Sequence, residues 1–167
     1  MLLSRFTLKS GTYLIQGSNG SGKTLFLEKL FHTLSFNNKI YINQLPLDLY
    51  PEKNFLYVLK ILKKEHVFHS SSFLQHIQYL HLNKILSQKF ENLSGGEKQL
   101  LKILLFLSFK SQFFFIDEPL NFLDYFHKEY VLKILQHLNE TKTLFIVEHQ
   151  NYFHNFNINK TFHMMFL

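Results

Sequence analysis

Apolar runs and helical patterns alternate along this chain, and that alternation predicts its elements. Tyr13, Leu14 and Ile15 read as a short buried strand. A glycine-rich stretch and a helix over 23–35 follow it. A short alternating strand covers 39–43. Over 51–64, Phe55, Leu56, Val58, Leu59, Ile61 and Leu62 make a broad apolar helical face. Ser70, Ser71 and Ser72 could cap a second helix over 72–80. The pattern over 81–92 is weak. A helix over 95–108 precedes a continuous apolar strand at 113–116. A helix over 124–139, a strand at 143–147 and a last strand at 162–166 complete the order. A strand near 3–8 could pair as a hairpin with 12–16. Continuous apolar strands alternating with helices predict an α/β fold, a mainly parallel sheet flanked by helices on both faces.

Bulk properties narrow the function classes. The chain has 167 residues, the length of one domain with a real core. It has no cysteine, which excludes disulfides and thiolate metal sites. The first residues lack a signal-peptide apolar core. The longest apolar candidate, 103–107, ends between Lys102 and Ser108, far short of the roughly 20 residues of a membrane span. The formal net charge is +6, but the lysines are scattered and form no basic cluster, so charge gives no case for nucleic acid. Ten histidines are present, and pairs such as His66 and His69 have no carboxylate cluster beside them to suggest a metal site.

Residues 17–24 carry the first chemistry. Gly17, Ser18, Asn19, Gly20, Ser21, Gly22, Lys23 and Thr24 follow the phosphate-binding loop pattern G-x-x-x-x-G-K-[ST]. The glycines let backbone N–H groups turn toward phosphate oxygens. Lys23 can reach the β- and γ-phosphates, and the Thr24 hydroxyl can bind Mg²⁺. The strand before the loop and the helix after it are the context this motif needs, since a helix start favours anions. Downstream, Phe113, Phe114, Phe115 and Ile116 run into Asp117 and Glu118. A buried strand ending in acid suits a magnesium-dependent nucleotide hydrolase. Asp117 can position the ion, and Glu118 can deprotonate an attacking water.

Two further motifs point to a family. Leu93, Ser94, Gly95, Gly96 and Glu97 precede the helix over 95–108, and Asn121, Phe122, Leu123 and Asp124 follow the acidic strand. With Gln44 after the strand at 39–43 and His149 after the strand at 143–147, the chain resembles an ABC-type ATPase over nearly its whole length. The resemblance implies a P-loop NTPase fold, a single domain over 1–167 with a small helical subdomain inserted near 50–92. It implies ATP and Mg²⁺ as cofactors. Gln44 joins Thr24 and Asp117 at the metal, and His149 joins Glu118 in catalysis as a γ-phosphate donor. Ser94, Gly95, Gly96 and Glu97 form the family's signature, which meets a nucleotide held by a second subunit, so the chain is expected to work as a homo- or heterodimer. Ser94 followed by Glu97 is also a capping-box pattern, which leaves a purely structural role open.

The resemblance has gaps. No residue matches the family's upstream adenine-stacking aromatic; Phe6 and Tyr13 are the substitutes at hand. Leu120 and Phe122 stand where the family often has Thr and a small or polar residue. The leading expectation is the nucleotide-binding subunit of an ABC transporter. It would be cytoplasmic and peripheral at the inner membrane, paired with a transmembrane permease that docks on the helical segment. The alternative is a soluble ABC ATPase, similar to ABC-F translation factors or SMC-type DNA-associated proteins.

Overall fold

The computed structural model describes residues 8–45, 51–64, 68–149 and 152–164. The expected strand near 3–8 and Phe6 lie outside the described residues. The chain divides into two compact units. One comprises Met1–Asn43, Ser111–Pro119 and Leu132–Leu167; the other comprises Gln44–Lys110 and Leu120–Val131.

The first unit is built on a five-stranded sheet in the order β2-β3-β4-β1-β5. Its strands are β1 (Gly11–Gly17), β2 (Lys39–Tyr41), β3 (Phe113–Asp117), β4 (Thr143–Val147) and β5 (Ile158–Met164). Every pairing is parallel. Buried parallel strands need apolar residues on both faces, and β4 is buried at all five positions. Aromatic rings tie neighbouring strands together: Phe145 stacks on Tyr13 at 5.0 Å and on Phe115 at 4.6 Å. Helix α1 (Lys23–Thr33) puts Phe31 edge-on against Phe115 at 5.2 Å. At the other end of α1 the Lys39 ammonium donates to the carbonyls of Phe31 and Leu34, helping to satisfy the helix's last acceptors. A buried polar pair is satisfied, with the Thr12 hydroxyl donating to Asn139 at 2.8 Å.

The second unit is helical. It holds α2 (Phe55–Lys64), α3 (Ser70–Tyr79), α4 (Asn83–Leu86) and α5 (Gly95–Leu107). Its core includes Phe55 stacked on Phe73 at 5.3 Å and the run Ile103, Leu104, Leu105 and Phe106, fully buried on α5. The last helix, α6 (Tyr125–Asn139), begins among this unit's residues and ends among the first unit's. Among the described residues no helix is long and apolar enough to cross a membrane.

Several boundaries differ from the expectation; β2, for one, ends at Tyr41 rather than 43, where the 3-10 turn Ile42–Gln44 begins. Helix α2 starts at Phe55, not Pro51, because the Asn54 side chain accepts from the Tyr57 amide and caps the helix there. The serines at 70–72 form the first turn of α3 rather than its cap, and His69 precedes it without a side-chain cap. Strand β5 begins at Ile158, four residues early, since pairing with β1 recruits the polar Lys160, and the Asn159 side chain, skipped by the register, donates to the Ser10 carbonyl at 2.9 Å.

Candidate functional site

In the first unit the predicted chemistry collects at the carboxyl ends of three adjacent strands, β3, β4 and β1, the place where parallel sheets bind ligands. Register explains the convergence. Asp117 pairs with Val147, and Val147 pairs with Ile15. One step beyond, the ladder continues through Glu118 N–H to the Val147 carbonyl and Glu148 N–H to the Ile15 carbonyl. The three chains therefore leave the sheet side by side.

The loop after β1 turns into α1 through Gly22, which sits at φ +84° and serves as the helix N-cap. This left-handed conformation is cheap for glycine and costly for other residues. No side chain caps α1, so its first amides remain open to an outside acceptor. Lys23 is buried, at 5 % exposure, and its ammonium donates to the Ser18 carbonyl at 2.7 Å. It is folded back on the loop it belongs to. The Ser21 hydroxyl is buried with no hydrogen-bond partner. Orphaned polar atoms of this kind are rare and call for a ligand or water.

The Thr24 hydroxyl bonds to the Asp117 carboxylate. Burial holds the Asp117 carboxyl above its ordinary pKa, partly offset by that hydrogen bond. Asp117 Oδ1 is buried with no hydrogen-bond partner. A buried carboxylate oxygen with spare acceptor capacity beside a threonine hydroxyl is a hard-oxygen donor set, which suits Mg²⁺. Gln44 closes the 3-10 turn Ile42–Gln44 directly after β2; its side chain lies outside the described groups.

Glu118 has φ +48°, uncommon for a residue with a Cβ. Its carboxylate lies 2.6 Å from His149 Nε2, and His149 Nδ1 lies 3.1 Å from the Gly17 carbonyl. Both ring nitrogens thus face oxygen atoms, one on the Glu118 side chain and one on the Gly17 backbone. Sequence reasoning missed Glu148. It is 2 % exposed, and its Oε1 accepts from the His149 amide at 2.7 Å, anchoring the backbone that carries the ring. The only signal was an acid at the end of an apolar strand. The Tyr13 ring is half-exposed and stacks on Phe145 at 5.0 Å.

In the second unit, Ser94 caps α5. Its hydroxyl accepts from the Glu97 amide at 3.3 Å and donates to Glu97 Oε2 at 2.7 Å. Glu97 Oε2 also accepts from the Ser94 amide at 2.8 Å, which completes a capping box. These bonds from Ser94 hold the Glu97 carboxyl below its ordinary pKa. The structural alternative for this pair is thus formed. Gly95 and Gly96 make the first turn of α5. A Cβ on Gly96 would lie 2.8 Å from the Phe122 carbonyl, so only glycine permits this approach. Asp124 caps α6, accepting from the His127 amide at 2.9 Å and lying 2.8 Å from His127 Nδ1. Those bonds hold its carboxyl low as well. Ser94, Gly96, Glu97, Phe122, Asp124 and His127 border a cavity of about 400 Å³. A second cavity, about 660 Å³, is bordered by Lys53, Leu56, Tyr57, Lys60, Leu74 and Lys89 and contains none of the motif residues.

The sequence model of the family described as "ABC transporter" matches residues 4–121. The chain belongs to the ABC transporter family. Its relatives carry unlike names. It is 31 % identical over 155 residues to translation initiation factor rli1 of Schizosaccharomyces pombe, covering 87 % of this chain and 26 % of that protein. It is 32 % identical over 152 residues to the petrobactin import ATP-binding protein YclP of Bacillus subtilis, covering 89 % of this chain and 59 % of that one. The chain thus spans about a quarter of the first and three-fifths of the second. Among solved structures, a bacterial ABC transporter cassette determined as a dimer matches with a TM-score of 0.68 at 21 % identity, covering 86 % of this chain and 76 % of that one. The likeness shows that the α/β fold with its parallel sheet is the fold of this family.

Proposed function

We propose that the chain binds and hydrolyses ATP with Mg²⁺ as the nucleotide-binding subunit of an ABC transporter. The observation that carries this reading is the convergence of Lys23, Thr24, Asp117, Glu118 and His149 at the carboxyl ends of β1, β3 and β4. The loop at 17–24 would hold the phosphates, with Lys23 exchanging the Ser18 carbonyl for phosphate oxygens. Thr24 and Asp117, with Gln44, would hold Mg²⁺. When bound, the ion neutralises developing charge between the phosphates. Glu118 would deprotonate the attacking water. His149 would then transfer its Nε2 donation from Glu118 to the γ-phosphate.

The signature at 94–97 would complete the site of a second cassette. Support comes from a relative solved as a dimer after hydrolysis, bound to ADP and phosphate. Its 19 % identity makes this an argument by fold. The membrane partner is supported by the import proteins among the relatives, including an energy-coupling factor transporter ATP-binding protein of Thermotoga maritima. On that reading the chain would sit at a cytoplasmic membrane face. The likeness to initiation factors favours a second reading, a soluble ribosome-associated ATPase.

The test is phosphate release by the purified chain with ATP, with and without a chelator. Hydrolysis that needs Mg²⁺ is expected. A chain that neither binds nor hydrolyses ATP overturns the proposal. Co-sedimentation with ribosomes, set against co-purification with a multi-span membrane protein encoded beside it, separates the two readings.

A further inference from the structure

Tyr41 ends β2 on the same face of the sheet as Asp117. It pairs with Phe115 in the ladder, and Asp117 lies two residues further along β3. Side chains two apart on a strand share a face. Helix α1 covers that face. Phe31 packs its ring against Phe115 at 5.2 Å and against Tyr41 at 5.6 Å. Thr24, at the start of the same helix, bonds to Asp117. Strand spacing and rise set the Tyr41 and Asp117 Cα atoms roughly 8 Å apart on the diagonal, a span that a tyrosine side chain largely covers. Tyr41 is 5 % exposed, so its side chain has little recourse to bulk water.

The Tyr41 hydroxyl is only half used. Its oxygen accepts from the Asn43 side chain at 3.1 Å, which leaves its proton to be donated. Burial pushes its pKa up to about 12, helped by the carboxylates of Asp117 and of Glu28, one turn after Thr24 on α1. Of the two, Asp117 acts on the hydroxyl more strongly, and Glu28 is exposed. Asp117 Oδ1, for its part, is buried with no hydrogen-bond partner. A donor and an acceptor in each other's field but not bonded are satisfied together by one bridging water. A carboxylate that binds a metal is itself usually held by hydrogen bonds from the next layer out. Resting on the reading that Thr24 and Asp117 hold Mg²⁺, we propose that Tyr41 is a positioning residue of that centre: its hydroxyl donates to a water that donates in turn to Asp117, fixing the carboxylate toward the ion. Asn43 turns the hydroxyl by occupying its oxygen. The strand β2 thereby contributes to the metal site without supplying a ligand from its own length.

The experiment is calorimetric titration of the chain with an ATP analogue carrying a non-hydrolysable imide between the β- and γ-phosphates, once in Mg²⁺ and once in chelator. The ratio of the two dissociation constants measures what the ion adds. Tyr41→Phe keeps the ring against Phe31 and removes the hydroxyl. In it that ratio should shrink about tenfold, as expected when a group that orients a metal ligand is lost. Affinity in chelator and the thermal unfolding midpoint should stay at the wild-type values. Asn43→Ala, at an exposed position, removes the bond that turns the hydroxyl and should shrink the ratio less, in the same direction. Should Tyr41→Phe fail to fold, the Asn43→Ala ratio decides. A Tyr41→Phe chain with the wild-type ratio, or one that loses affinity equally in Mg²⁺ and in chelator, overturns this inference and leaves the proposed function standing. A wild-type chain that binds the analogue no better with Mg²⁺ overturns the magnesium site itself, and the inference with it.

Discussion

Helices α1 and α5 both open on glycine-rich sequence, yet their first turns are in opposite states. Gly22 caps α1 with no side chain, and the Lys23 ammonium is parked on a carbonyl of its own loop. Ser94 and Glu97 close the start of α5 with three hydrogen bonds, one of them donated by the Ser94 amide to the Glu97 carboxylate. The difference teaches an order of events. An anion can enter the first site by redirecting one lysine. At the second it must meet or displace a negative charge already there. On the proposed function, the first helix start would be a standing phosphate site, and the second a conditional one, to be used only when a phosphate is delivered firmly held by something else.

Variants can break or sharpen this contrast. The largest effect belongs to Glu118→Gln. Turnover should fall by roughly 10²–10⁴-fold, while calorimetry still finds ATP bound at the first site. Turnover near wild type would mean that another group activates the water. Next is Lys23→Ala, which removes a charge-assisted contact worth on the order of 1.5–3 kcal/mol to ATP affinity. Equal titrations for variant and wild type would erase the distinction between the two starts.

A smaller effect separates the glycines themselves. Gly22→Ala meets no atom but is forced into a left-handed conformation, so urea denaturation should show a loss of about 1–2 kcal/mol. Gly95→Ala meets no atom either, and φ there is not positive. It should leave stability unchanged or raise it by about 0.4–1 kcal/mol. The same variant pair with equal costs would show that the two turns share a geometry after all. The smallest effect is expected from Glu97→Gln, which keeps both capping bonds and removes the charge. Helix stability should fall by about 0.3–1 kcal/mol through the dipole, while ATP-driven association tightens a few-fold. The Glu97 carboxyl is held low by Ser94, so its help to the helix is present above the ordinary carboxylate pKa. That help is lost as pH falls through the lowered value, and the wild type and Glu97→Gln should converge in stability there.

The legible parts of this molecule were those where one short pattern decides the outcome. The strand at 143–147 was readable because full burial demands an unbroken apolar run. The phosphate loop was readable because its glycines and lysine have fixed spacing. Boundaries set by a competing side chain were less so: Pro51 resembles a helix start, but Asn54 supplies a better cap four residues into the expected helix. The two roles of Ser94 could not be separated in sequence, because a capping box and a phosphate-binding turn ask for the same residues. Glu148 was invisible, since its role is to hold the amide of the next residue. Phe122 stood out as a departure from the family, but its exposure and its positive φ are visible only in the structure.

The closed capping box at Ser94 has a consequence for how amide protons leave the molecule. The Ser94 and Glu97 N–H groups are already bonded in the resting chain, whereas the first turn of α1 has no cap to slow exchange with deuterium. Nucleotide should therefore be recorded as new protection at the start of α1. At the start of α5 the same event should leave protection flat or lower it for a moment, as Ser94 is released from its own carboxylate. One ligand would thus leave two exchange signatures of different sign, and the second would mark the instant at which a partner has arrived.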